Sequence, residues 1–213
     1  AHEIKNPLTP IQLSAERIKH KLGSKLNKED TDILDKAVST IVNQVDAMKT
    51  MVNEFSEYAR APKLNLELTD INETIKEISH LFENSGIKIT TTLLKGLPKI
   101  KVDINMMRQV LINLIQNAQD AMVNHTKKPS IKINTNKYKN YLILSIEDNG
   151  PGFSLDILKK AFEPYVTTKS HGTGLGLAIV KKIIEEHEGT IVVENIKSGG
   201  ANINIQLPIS KSK

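Results

Sequence analysis

Asn113, Asn117 and Asp120 are spaced by four and three residues inside a strongly apolar stretch, so on a helix they share one face. Polar groups on such a stripe need partners. A magnesium ion is one, because it takes a few protein oxygens together with phosphates and water, and an Asn carbonyl adds no negative charge beside a triphosphate. Hydrogen bonding near the helix end is the ordinary alternative. Further on, Glu147-Asp148-Asn149-Gly150-Pro151-Gly152-Phe153 follows a strand-like run. A buried Asp at a strand end can accept a hydrogen bond from an adenine amino group, and the two glycines let the backbone approach a flat ring. A plain turn would have the same composition. Last, Thr167-Thr168-Lys169 precedes Gly172-Thr173-Gly174-Leu175-Gly176. These glycines open a helix whose first N–H groups form an anion site. The stretch carrying Thr168 and Lys169 suits a lid over phosphates, although a GxGxG pattern alone is weak.

The elements that must position these groups change character along the chain. In residues 1–61, Ile4, Leu8, Ile11, Ala15, Ile18 and Leu22 alternate at spacings of four and three, Gly23-Ser24 breaks the pattern, and Asn27 or Asp30 can cap a second helix. That helix carries Leu34, Val38, Ile41, Val45, Met48, Val52, Phe55 and Ala59 in the same alternation, and Ala61-Pro62 ends it. One such hairpin has too narrow an interface to enclose a core, whereas two can form a dimeric four-helix bundle. With a turn near residue 25, His2 is expected opposite roughly residue 49.

From residue 62 to 213 the pattern is mixed. Leu64-Leu66-Leu68 alternates like a short strand, and Asp70 with Glu73 reads as a capping pair for a helix to Phe82. Strands are expected at Ile87 to Leu94, Ile131-Ile133, Leu142 to Ile146, Ile191-Val193 and Ile203-Leu207. Helices are expected from Asp103 to Met122, within the glycine-rich segment, and from Leu175 to His187. The fold class is therefore α+β: a helical hairpin, then helices grouped on one mainly antiparallel sheet.

Taken in order, these motifs resemble the N, G1, F (Phe162 to Lys169) and G2 boxes of the GHKL (Bergerat) ATP-binding fold, most closely its histidine kinase branch. The resemblance covers residues 64 to 208. It implies ATP and Mg²⁺ as ligands, with Asn117 on the metal and Asn113 supporting the phosphates. It further implies adenine recognition by Asp148, with Gly150 and Gly152 lining the pocket and Gly172, Gly174 and Gly176 hinging a lid. Asp120, Thr168, Lys169, Thr173 and Leu175 join the nucleotide site on the same resemblance. ATPases of the superfamily that hydrolyse carry Glu where this chain has Asn113, and an amide cannot be a general base near neutral pH.

His2-Glu3-Ile4-Lys5-Asn6-Pro7-Leu8 looks like the H box of histidine kinases. A neutral imidazole has a lone pair that can attack a γ-phosphate, and Glu3 can hold the proton on the other ring nitrogen. Asn6 lies one turn further, where the family orients a water for dephosphorylating its partner regulator. Pro7 is expected to bend the helix. The run Pro7 to Arg17 is similar to the NtrY group of nitrogen-regulation sensor kinases, which implies an NtrX-like response regulator as partner. The other histidines, His187 among them, are expected to be structural.

The bulk composition narrows the rivals. With 39% hydrophobic and 25% charged residues, no Trp and a net charge of +5 spread along 213 residues, a nucleic-acid surface has neither stacking platform nor basic patch. The absence of Cys excludes disulfides and thiolate zinc sites. No apolar run reaches the roughly 18 residues of a membrane span. The chain opens in mid-helix sequence without Met or cap, so the reading is a cytoplasmic piece of a longer inner-membrane sensor. A hydrolysing ATPase and a catalytically weak dimerisation scaffold are the competing functions.

Overall fold

Helix α1 (His2–Leu22) continues unbroken through Pro7 and Pro10. Proline has no N–H, so the carbonyls of Glu3 and Asn6, four residues earlier, lose their usual donors. The helix closes where the Gly23 N–H reaches the Lys19 carbonyl at 2.9 Å. Helix α2 (Lys28–Ala59) starts on Asn27. The Asn27 Oδ1 accepts the Asp30 N–H at 2.9 Å, and its Nδ2 donates to the Asp30 carboxylate at 2.7 Å. Of the two candidate caps, Asn27 is the one used. The computed structural model describes residues 2–59, 64–123, 125–169 and 172–209, without the side chains of 2–5 and 57–59.

The chain divides into two compact units, the first made of α1 and α2 together with Lys169, the second of the remaining described residues from 64 onward. In the hairpin, Leu8, Ala15, Val38 and Val45 are buried. Their seam neighbours Ile11, Ile18, Ile41, Met48 and Phe55 stay 43–50% exposed. A single hairpin thus covers only half of its apolar stripe. The register near the turn is close to the expected one, since Lys19 pairs with Asp35 at 3.3 Å, and further along the long Lys49 side chain donates to Gln12. Val52 and Phe55 therefore lie beyond the level of Gln12, toward the start of α1. The turn takes up Gly23 to Asn27 before α2 begins.

In the second unit, β1 (Glu67–Thr69) pairs antiparallel with β3 (Ile100–Val102). Leu66 and Leu68 face outward from this small sheet, at 49% and 61% exposure. Helix α3 (Ile71–Leu81) is capped by Asp70, whose carboxylate accepts the Asn72 N–H at 2.9 Å. Glu73 pairs with Lys76 instead of turning back to Asp70, so only half of the expected capping box forms. The main sheet comprises β2 (Lys88–Thr92), β4 (Ser130–Tyr138), β5 (Tyr141–Asp148), β6 (Thr190–Asn195) and β7 (Ala201–Pro208). Its order is β2-β4-β5-β7-β6, parallel between β2 and β4 and antiparallel elsewhere. Helices α4 (Ile104–Met122) and α6 (Gly176–Glu186) pack on each other, and α3 packs on α4.

Strand alternation decides the layers. Ile131, Ile133, Leu142, Leu144, Ile146, Ile203, Ile205 and Leu207 are all buried on one face. They meet the apolar stripes of the helices, including Ile75, Leu114, Ile115, Val180 and Ile184. The result is the expected two-layer α/β sandwich. Its sheet presents Ser145, Asn202 and Asn204 on the other face, tied to Glu194 and one another by side-chain hydrogen bonds of 3.0–3.2 Å. Short α5 (Leu155–Lys160) follows β5 and is capped by Ser154.

Candidate active site

Asp148 ends β5 at the point where the chain leaves the sheet. Its Oδ1 accepts the N–H of Gly150 at 2.8 Å and of Ala201 at 3.3 Å. Its Oδ2 takes no hydrogen bond among the described residues and is not sealed from solvent. Burial pushes the Asp148 carboxyl above its ordinary value, against the opposing pull of those two N–H groups and of His125. A partly desolvated carboxylate with one oxygen fixed and one open is an acceptor aimed at an external N–H donor.

The loop after Asp148 is held from three sides. Asn149 accepts the Ser130 N–H at 2.8 Å and donates to the Lys128 carbonyl at 3.0 Å. Asn195, the last residue of β6, both accepts from the Phe153 N–H and donates to the Phe153 carbonyl, at 2.8 and 2.7 Å. Gly152 sits at φ 72°, and a Cβ there would stand 2.7 Å from Asn195 Oδ1. Gly200, at φ 97°, lies so close that a Cβ would fall 1.9 Å from the Asp148 carbonyl oxygen. Gly150 faces the end of α4, where a Cβ would meet Met122 and Ala121 at 3.4 and 3.6 Å.

The same end of α4 meets α6. A Cβ on Gly176 would stand 3.5 Å from the Asn117 carboxamide nitrogen and 4.0 Å from its oxygen. Helix α6 starts at Leu175 without a side-chain cap, so its first N–H groups are not consumed by one. Leu175 is completely buried and anchors this start. Its N–H donates to Thr173 Oγ1 at 3.3 Å. The preceding segment is clamped at its stems: the Tyr165 N–H donates to the Gly174 carbonyl at 3.0 Å. Tyr165 at φ 67° and Gly174 at φ 70° make that close approach possible. Thr168 and Lys169 are exposed on the loop so closed, and Gly172 and Thr173 are half-buried near its end.

The structure therefore brings Asn117, Asp148, Gly150, Gly174, Leu175 and Gly176 around the C-terminal half of α4. Asn113 is half-buried one turn before Asn117, and Asp120 is exposed beyond it. Among the described residues no cluster of three His, Asp or Glu could hold a metal unaided. On α1, Asn6 is exposed. The side chains of His2 and Glu3 lie outside the described residues. Sequence reasoning missed Asn195 and the contact of Gly200 and Ala201 with Asp148. A Gly199-Gly200 pair is a turn signal in sequence, but it does not say which loop the turn touches.

Residues 102–211 match the family of histidine kinase-, DNA gyrase B- and HSP90-like ATPases, and residues 1–63 match the His Kinase A (phospho-acceptor) domain. The nitrogen regulation protein NtrY of Azorhizobium caulinodans is 39% identical over 214 residues, covering 97% of this chain and 28% of that protein. The chain belongs to the sensor histidine kinases. Among solved structures, full-length ShkA in complex with AMPPNP superposes on this histidine kinase with a TM-score of 0.74 at 25% identity, over 99% of this chain and 45% of that one. Histidine kinase ThkA in complex with the response regulator TrrA gives 0.72 at 31% identity, over 99% and 60%. This histidine kinase chain spans 28–45% of the length of the curated relatives it matches.

Proposed function

We propose that the second unit binds ATP with Mg²⁺, that the γ-phosphoryl group passes to His2, and that an aspartate of a response regulator then receives it. The observation that carries this reading is the placement of the Asn117 carboxamide beside the uncapped start of α6, with Asp148 Oδ2 open at the other end of the same surface. A metal–phosphate group and an adenine need those two features. The open Asp148 oxygen accepts the adenine amino group, and Gly150 and Gly152 let the ring lie against backbone. Asn117 supplies a neutral oxygen ligand to the ion, and Asn113 supports the phosphates. When bound, Mg²⁺ offsets charge on the β- and γ-phosphates. The first N–H groups of α6 face the same negative charge, and Thr168 and Lys169 would close toward it when nucleotide binds.

In the transfer, a ring nitrogen of His2 bonds to the γ-phosphorus while the bond to the ADP oxygen breaks. Glu3 holds the proton on the other nitrogen. The absence of a general base at Asn113 favours this acceptor over water. Asn6, exposed one turn along α1, orients a water for the reverse task of clearing the phosphorylated regulator. The half-covered seam of the hairpin is completed by a second copy of α1 and α2. An NtrX-like regulator is the partner that the likeness to NtrY favours. No helix among the described residues is long and apolar enough to cross a membrane. The test is labelling from γ-labelled ATP. Acid-labile, base-stable label that disappears in His2→Ala is expected. Label retained in that variant, or free phosphate as the sole product, refutes the assignment.

A further inference from the structure

His187 caps the C-terminal end of α6 and is 5% exposed. Its Nδ1 lies 2.7 Å from the Ile183 carbonyl, and its Nε2 lies 2.9 Å from the backbone N–H of Asp103. A carbonyl only accepts and an N–H only donates, so the two contacts require one protonation state: Nδ1 carries the proton and Nε2 is bare. Asp103 is itself a junction. Its carboxylate caps α4 through the N–H groups of Asn105 and Met106 and also accepts the N–H of Asn65 at 3.0 Å. The imidazole thus bonds the C-terminal end of α6 to the N-cap residue of α4.

This bond sits at the opposite end of the helix pair from the nucleotide site. From Asp103 to Asn117 is about 21 Å along α4, and from His187 back to Gly176 is about 17 Å along α6. The two helices are therefore antiparallel neighbours that touch at both ends, by His187 with Asp103 and by Gly176 with Asn117. Between those ends both helices carry buried apolar residues, among them Leu111 and Leu114 on α4 and Val180 and Ile183 on α6. Apolar burial is non-directional and sets an axial register weakly, whereas a hydrogen bond fixes it within tenths of an ångström.

Resting on the nucleotide reading above, we infer that His187 is a positioning residue: it pins the register of α6 along α4 and thereby holds the α6 start against Asn117. Without it α6 can slip along α4, leaving the phosphate-facing N–H groups out of step with the metal ligand.

The experiment compares native protein, His187→Phe and His187→Gln by calorimetric titration with Mg·AMPPNP, alongside amide exchange and imidazole ¹⁵N shifts of the native protein. The Phe variant fills the volume but accepts nothing; the Gln variant can offer an oxygen to the Asp103 N–H. Folded His187→Phe is expected to bind about tenfold more weakly, with most of the loss restored in His187→Gln. By reciprocity, saturating nucleotide should slow exchange of the distant Asp103 amide in native protein. A folded Phe variant of undiminished affinity overturns the inference. If that variant does not fold, an Asp103 amide indifferent to nucleotide, or a His187 ring protonated on Nε2, overturns it instead. Native protein that binds no nucleotide at all refutes the function itself, before any variant is compared.

Discussion

Replacing Asp148 by Asn separates recognition from folding. The carboxamide keeps an oxygen for the N–H groups of Gly150 and Ala201, at 2.8 and 3.3 Å in the native protein. It replaces the open Oδ2 with an NH₂, which opposes an adenine amino group donor to donor. A hydrogen bond to a charged acceptor contributes about 1.5–3 kcal/mol, so the nucleotide should bind roughly ten- to a hundredfold more weakly. Stability should move the other way. The Asp148 pKa is raised in the fold, chiefly by burial. A carboxyl with a folded pKa above its unfolded value contributes stability below the unfolded pKa and loses it as pH rises through the folded one. At neutral pH the buried charge therefore weakens the domain, and Asp148→Asn should melt at the same temperature as the native protein or higher. That advantage should shrink as the solution is acidified through the carboxylate range. Calorimetric titration with Mg·AMPPNP and thermal unfolding at neutral and acidic pH measure both effects. Undiminished affinity, or a loss of affinity matched by a loss of stability, refutes the reasoning.

Asn117→Ala should abolish the magnesium-dependent part of nucleotide affinity while costing no more than about 1 kcal/mol of stability, since the side chain is only half-buried; titrations with and without Mg²⁺ check it. Asn6→Ala should retain phosphorylation of His2 but slow dephosphorylation of the regulator, read from phosphate release after phosphotransfer, with stability changed by less than about 0.5 kcal/mol because Asn6 is exposed. Gly200→Ala should cost roughly 2–4 kcal/mol in denaturant unfolding, because its Cβ would fall 1.9 Å from the Asp148 carbonyl. Gly199→Ala, with nothing within 4 Å, should cost only the backbone strain of about 1–2 kcal/mol.

Local physics made much of this chain legible in its sequence. Caps are local, so Asp70, Asp103 and Asn27 marked helix starts within a residue of where they fall. Alternation is local too, and the runs at Ile131-Ile133, Leu142 to Ile146, Ile191-Val193 and Ile203-Leu207 fall within β4, β5, β6 and β7. The candidate groups Asn117, Asp148 and Gly176 were found by residue type and spacing within single motifs. What lay between motifs was decided only by the tertiary structure. The sheet order β5-β7-β6 puts Gly200, Ala201 and Asn195 against the Asp148 loop, some fifty residues away in sequence. Antiparallel packing of α4 on α6 turns His187 from one buried imidazole among six histidines into the partner of Asp103. It also sets the Asn117 carboxamide against Gly176. The hairpin register was legible to within about a turn, as the Lys19–Asp35 pair shows, but not its individual contacts. A heptad-like pattern fixes which face of each helix is apolar, but Gln12 meets Lys49 only because the turn takes up a particular length of chain.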